Sequence, residues 1–157
     1  MMQRIREIGS GLGWLICAVV LAAILAQHET RADTWGVATI TSHHFDRSAG
    51  HNERNFGVGI EQDVRPDLRA VVGFYDNSFN RMTTYIGVAF MPLHLGNFSF
   101  GLVGVLASGY GSGGRFLPVA LPVVQYERNG WGANIGVVPG TKESPGVVGL
   151  QLKWRLQ

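Results

Sequence analysis

The sequence predicts an all-β protein, an eight-stranded antiparallel up-and-down transmembrane β-barrel over residues 33–157. Three observations lead there. The chain after about Trp35 is a series of short segments that alternate apolar with polar or small residues. Gly-rich turns of alternately short and long length separate them, and an apolar leader precedes them. The last segment is the clearest case. Val148, Leu150, Leu152, Trp154 and Leu156 fall on one face, and Gly149, Gln151, Lys153, Arg155 and Gln157 on the other. Period two over that length is an extended strand with one apolar side. Where nearly every strand repeats this and no helix is available to cover the apolar side, lipid is the partner that remains. A closed barrel is the sheet that tolerates it.

Residues 1–32 read as a secretory signal peptide. Arg4 and Arg6 begin it, Leu12 to Leu25 forms an apolar core, and Thr30-Arg31-Ala32 offers a small-residue cleavage site before Asp33. The rival reading is a membrane-anchoring helix, because Leu12 to Ala26 is only slightly short of a span. The single cysteine, Cys17, lies in this leader, so the mature chain is expected to hold no disulfide, thiolate nucleophile or Cys-ligated metal. Three of the 13 basic residues (Arg4, Arg6, Arg31) and two of the 11 acidic ones (Glu7, Glu29) leave with it, so 10 stand against 9. That balance argues against nucleic acid as a partner. No repeat or linker marks a second domain.

The eight strands are expected near Trp35–Phe45, Asn55–Asp63, Leu68–Asp76, Met82–Met91, Asn97–Ser108, Leu117–Glu127, Trp131–Val138 and Val147–Leu156. Arg65-Pro66-Asp67, Leu93–Gly96 and Arg128-Asn129-Gly130 carry turn chemistry and make short connections. His44–Arg54, Asn77–Arg81, Gly109–Arg115 and Pro139–Pro145 are longer or more polar, as external loops would be. Taking the bulky set as lipid-facing puts Phe56, Val58, Ile60, Ile86, Val88, Phe90, Phe98, Phe100, Leu102, Leu106, Trp131, Ile135 and Val137 outside. Small residues then crowd the inside. Either glycine relieves crowding in a tight barrel, or the lumen is left partly empty for a slim apolar ligand such as an acyl chain. Pro118 and Pro122 inside the sixth strand cannot donate to a ladder, and mark a local opening or an irregular strand.

Two polar clusters fall on connections at one end: Ser42-His43-His44-Phe45 with His51-Asn52-Glu53-Arg54, and Asp76-Asn77-Ser78-Phe79-Asn80. A base beside a hydroxyl is what acyl transfer or ester hydrolysis requires. Adjacent histidines on a strand point to opposite faces, so His43-His44 is a weak metal signal. Neither a metal nor a cofactor is expected. Ordinary polar loops are the bland alternative.

His51-Asn52-Glu53-Arg54 with Gly57 and Gly59 resembles a stretch of the lipid A palmitoyltransferase family. So do Asn77-Ser78-Phe79-Asn80 with Gly87, Leu117-Pro118-Val119-Ala120-Leu121-Pro122, and Val138-Pro139-Gly140. The four occur in family order at nearly family spacing. The resemblance implies a monomeric cell outer-membrane enzyme moving a palmitate-like chain from a phospholipid donor to lipid A. A non-catalytic lipid-binding or structural barrel, or a lipid A deacylase, are the alternatives. Carried over by position, the implied catalytic set is His44, Asn77 and Ser78, with Asn77 where the family has aspartate. His43 is the alternative histidine. His44 is preferred because it shares parity with Ala38 and Ile40, while Trp35 and Val37 are expected to face lipid. Gly87 and Ala89 are expected to bind the acyl chain. Ala89 stands where the family has the glycine that floors the pocket, and its methyl should favour a shorter chain. The family's N-terminal amphipathic helix has no counterpart here.

Overall fold

The computed structural model describes residues 32–48, 50–110, 115–141 and 146–157. The expected leader lies outside these except for its last residue, as do parts of the two connections after Ser108 and Val138. The strands are β1 (Thr34–His44), β2 (Gly57–Arg65), β3 (Leu68–Asp76), β4 (Met82–Leu95), β5 (Phe98–Ala107), β6 (Leu117–Arg128), β7 (Trp131–Val138) and β8 (Val147–Arg155). Each pairs antiparallel with its sequence neighbours, and β1 pairs with β8 to close an eight-stranded barrel.

Two-residue turns gather at one end, here the turn end: Pro66-Asp67, Gly96-Asn97 and Asn129-Gly130. In the last, Asn129 (φ 52°) and Gly130 (φ 80°) both adopt the left-handed conformation that tight hairpins require. The longer connections share the opposite, loop end. One boundary differs from expectation: β4 does not stop near Met91 but runs to Leu95. A bulge between Phe90 and Leu93 absorbs Pro92, which has no N–H to give, and the strand resumes beyond it.

The outer surface carries the expected apolar set. Phe56, Val58, Ile60, Phe90, Phe98, Leu102, Trp131 and Ile135 are exposed, joined by Val72, Phe74, Leu93, Leu95 and Leu152. β1 overturns its assignment. Trp35 and Val37 are each 1 % exposed and point inward, not to lipid. The register then shifts between Thr39 and Thr41, so an extra residue, Ile40, exchanges the two faces. Inward positions run Trp35, Val37, Thr39 and then Ser42 and His44. His44 is therefore the inward histidine, but through the bulge and not through parity with Ala38 and Ile40.

Toward the turn end the lumen is plugged by polar side chains. Lys153 is wholly buried, its Nζ 2.9 Å from Glu61 Oε2 and 2.5 Å from Glu127 Oε1. Arg69 pairs with Glu127 and Asp63, lies 3.7 Å from Glu61, and donates to Gln125 Oε1 at 3.0 Å. Asn134 donates to Glu61 and Gln151, and Gln151 donates to Thr39. The Trp35 ring packs against three cations, with Lys153 and Arg155 at 5.1 Å and Arg69 at 5.9 Å from its centroid.

Removing one member of a buried ion network strands its partners. Lys153→Met is expected to cost about 3–5 kcal/mol of stability by leaving Glu61 and Glu127 uncompensated. Arg65→Ala, at an exposed position, should change it by no more than about 0.5 kcal/mol. Urea unfolding in detergent micelles measures both.

Candidate functional site

Above the plug the described residues leave a space in the lumen. A cavity of about 470 Å³ occupies the loop-end half, walled by Val71, Val103, Val105, Val119, Leu121 and Val123. The inward glycines differ with height. A Cβ on Gly59 or Gly73 would come within 2.5 or 2.6 Å of the Tyr85 hydroxyl, so those glycines make room for that ring. A Cβ on Gly149 would meet nothing within 4 Å, because Gly149 lines the cavity. Tyr85 of β4 and Gln151 of β8 both line the cavity. With Glu61 and Asn134 they contribute a polar part of the lining that is continuous with the plug.

The mouth is built from β1 and two loops. His44 lines the cavity and is 5 % exposed. Its Nδ1 has no hydrogen-bond partner and lies 4.0 Å from Glu53 Oε1. The His51 ring lies against His44 at 4.7 Å, and Phe79 meets His51 edge-on at 5.3 Å. Tyr110 continues the arc, 6.2 Å from Phe79 and sharing a 2.6 Å hydrogen bond with Tyr75. Ser42 donates to Asn55, whose amide donates to the Asp76 carbonyl at 2.8 Å, tying β1 to the β3 end. Glu53 organises the first loop. The His44 backbone N–H and then the Arg47 side chain hold its carboxyl below the usual carboxylate range. His43 points outward, 3.5 Å from the same carboxylate, with 59 % of its side chain exposed.

Of the expected site residues, His44 and Ser78 line one cavity. Among the described residues no hydrogen bond joins them. Asn77 stands apart from the lining. It is fully buried, its amide donates to Thr83 Oγ1 (3.0 Å) and the Gly109 carbonyl (3.1 Å), and its carbonyl accepts from the Phe79 and Arg81 N–H groups. Every polar valence is spent on shaping the loop that presents Ser78. Gly87 and Ala89 do not line the cavity either. Ala89 is fully buried against Val71, Met91 and Val123, with Val103 packed on that cluster. Side chains that do face the space separate Ala89 from it. Ala89 is thus no floor; the polar groups around Tyr85 are.

The wall is incomplete on one side. β6 pairs with β5 along its length but with β7 only from Val123 to Arg128. Among the described residues Leu117–Pro122, with both prolines, has no ladder partner toward β7, where Val137 and Val138 pair only with β8.

Solved structures match this backbone. A designed transmembrane β-barrel aligns with a TM-score of 0.59 at 14 % identity, over 82 % of this chain and all of the design. The designed barrel TMB2.3, solved in solution by NMR, aligns at 0.54 and 12 % identity over 80 % of this chain and 94 % of its own. This chain has the transmembrane β-barrel fold. No protein-family model matches the sequence, and no curated protein matches it.

His51, Ser42, Tyr75 and Tyr110 escaped the sequence-based selection of site residues. His51 and Ser42 lie in the polar cluster flagged there, but His51 sits in a loop with no parity to read, and the bulge at Ile40 reverses the parity of Ser42 on β1. Tyr75 lies on β3, whose alternation is weak, and Tyr110 lies in the connection after β5, so neither direction could be read from pattern.

The role of Asn77 is directly testable. Asn77→Asp replaces two donated hydrogen bonds with a buried carboxylate that faces the Gly109 carbonyl. It is expected to lower stability by about 1–3 kcal/mol or more and to increase proteolytic cleavage near residues 77–81. Unfolding curves and limited proteolysis check this.

Proposed function

We propose that this chain is an outer-membrane acyltransferase that moves a palmitate-like chain from a phospholipid to lipid A. The single observation that carries the reading is the aliphatic well within the barrel, opening at a mouth lined by His44, His51, Ser42 and Ser78. The apolar wall suits an acyl chain. The unladdered seam beside Pro118 and Pro122 offers lateral entry from the bilayer. The apolar outer belt and the transmembrane-barrel fold support a membrane location. The four sequence stretches that resemble the lipid A palmitoyltransferase family supply the donor and acceptor.

In this reading the acyl ester carbonyl rests at the mouth. His44, its Nδ1 free of any partner, moves the proton, and Glu53 steadies the charge that develops on the ring. Ser78 orients the carbonyl or the acceptor hydroxyl. Asn77 holds the loop and takes no chemical part.

One observation favours a second reading. No carboxylate partners Ser78, and the residue at the family's aspartate position is buried in the loop. A lipid-binding barrel without catalysis would fit that.

The lipid A mass spectrum of a host with and without the gene decides between them. A gain of one acyl mass is expected, an unchanged spectrum favours the binding protein, and a lost acyl mass means deacylation. His44→Ala and Ser78→Ala should each lower transfer by about 100-fold or more while the barrel still folds. Full activity in both would return these residues to an ordinary polar rim.

Chain length supplies a separate prediction. Tyr85→Ala should lengthen the preferred chain, shifting selectivity between neighbouring lengths by about 10- to 200-fold. Ala89→Gly should leave the optimum unchanged. Transfer from donors of graded length measures both.

A further inference from the structure

At the turn end, on the far side of the plug, three side chains meet that the proposed acyl transfer does not use. Ser99 Oγ lies 2.9 Å from His94 Nδ1, and His94 Nε2 lies 3.2 Å from Asp67 Oδ1. Asp67 belongs to the β2–β3 turn, His94 to the last residues of β4, and Ser99 to the start of β5. His94 and Ser99 are direct partners across the β4–β5 hairpin. The half-exposed His94 and Asp67 are open to solvent at that end of the barrel.

A hydroxyl bonded to an imidazole whose other nitrogen meets a carboxylate is the arrangement of an activated serine nucleophile. With Nε2 carrying the proton toward Asp67, Nδ1 is left to accept from the Ser99 hydroxyl. An oxyanion needs a donor as well. Ser99 stands opposite Gln125 in the β5–β6 register. Gln125 is 2 % exposed, its Oε1 accepts from Arg69, and its Nε2 is a buried donor with no partner. Beside this group the outer face is apolar and aromatic. Leu93 and Leu95 are exposed, and Phe98 packs on Phe100 and Tyr126, the composition of a membrane–water boundary.

We propose that Ser99, His94 and Asp67 form a second site that hydrolyses carboxylic esters of membrane amphiphiles, with Ser99 as nucleophile. Ser99 Oγ forms a bond to the ester carbonyl carbon while its proton passes to His94, and Asp67 stabilises the resulting imidazolium. The Gln125 amide, buried opposite Ser99 in the β5–β6 register, turns toward the oxyanion as its donor. Collapse of the tetrahedral species breaks the ester C–O bond, and the departing alcohol takes the proton from His94. Water then attacks the acyl-serine, giving its proton to His94, which returns it to Ser99 as the acid leaves. One ester and one water become one acid and one alcohol.

The test is labelling of the full chain, folded in detergent micelles, with an alkyl fluorophosphonate, followed by mass mapping of the modified peptide. The expected result is a label on Ser99. His94→Asn keeps a polar side chain but no base, and should slow labelling and p-nitrophenyl decanoate hydrolysis by about 100-fold or more. Gel mobility of the unheated protein confirms that the variant folds. A folded wild-type barrel with no label on Ser99, or labelling unaffected by His94→Asn, would overturn the proposal. Label on Ser78 alone overturns it too and bears only on the loop-end site, so the two readings fail separately.

Discussion

The buried charge network around Lys153 is the constraint on which the rest of the barrel depends. A strand with two apolar faces could slip by one residue without penalty, because the side-chain period is two. Here a slip would turn Glu61, Arg69, Glu127 or Lys153 onto the apolar exterior and bring a bulky aliphatic residue inward. A charged side chain on the lipid face costs about 2–4 kcal/mol at the bilayer midplane, and its abandoned partners add more. β2, β3, β6 and β8 each contribute a charge to the network, so one cluster locks the register of half the strands. β1 joins through Trp35, held against three cations.

The same network divides the lumen. Toward the turn end, polar side chains and close-approaching backbones fill it. Toward the loop end, Val and Leu residues replace charges, and the described residues leave a cavity. Tyr85 marks part of the boundary. Its hydroxyl rests against two glycines of β2 and β3. In the proposed reading, the polar groups Glu61 and Gln151 would give a bound chain a physical stop, since a terminal methyl gains nothing by reaching them and would cost them their hydration.

Legibility in the sequence followed the strength of alternation. β7 and β8 alternate cleanly, and their faces, ends and partners were readable from the residues alone. β1 was misread because Trp35 and Val37 are bulky enough for lipid, and a bulge at Ile40 leaves no residue-type signature. The two errors cancelled at His44, which reached the right face for the wrong reason. Asn77 was legible as a polar rim residue but not as a loop brace. That role comes from Thr83 and Gly109, the second of them 32 residues away. The Ser99–His94–Asp67 group was invisible for a similar reason. The Pro92 bulge sets His94 across from Ser99, and Asp67 arrives from a different hairpin.

The sixth strand shows why the cavity forms where the pattern is weakest. From Leu117 to Pro122 both faces are apolar, so alternation does not say which side belongs inside. Burial of charge cannot settle it either, because the plug reaches β6 only at Gln125 and Glu127. The prolines remove two donors, and the ladder toward β7 ends at Val123. Elsewhere such a segment would be a defect, since barrels exist to leave no backbone edge unpaired. Here Leu117, Val119 and Leu121 all face the cavity, so the poorly specified stretch supplies both its aliphatic wall and the break beside it. A strand with full alternation would have closed the seam and filled the lumen with polar side chains, as the turn-end half does.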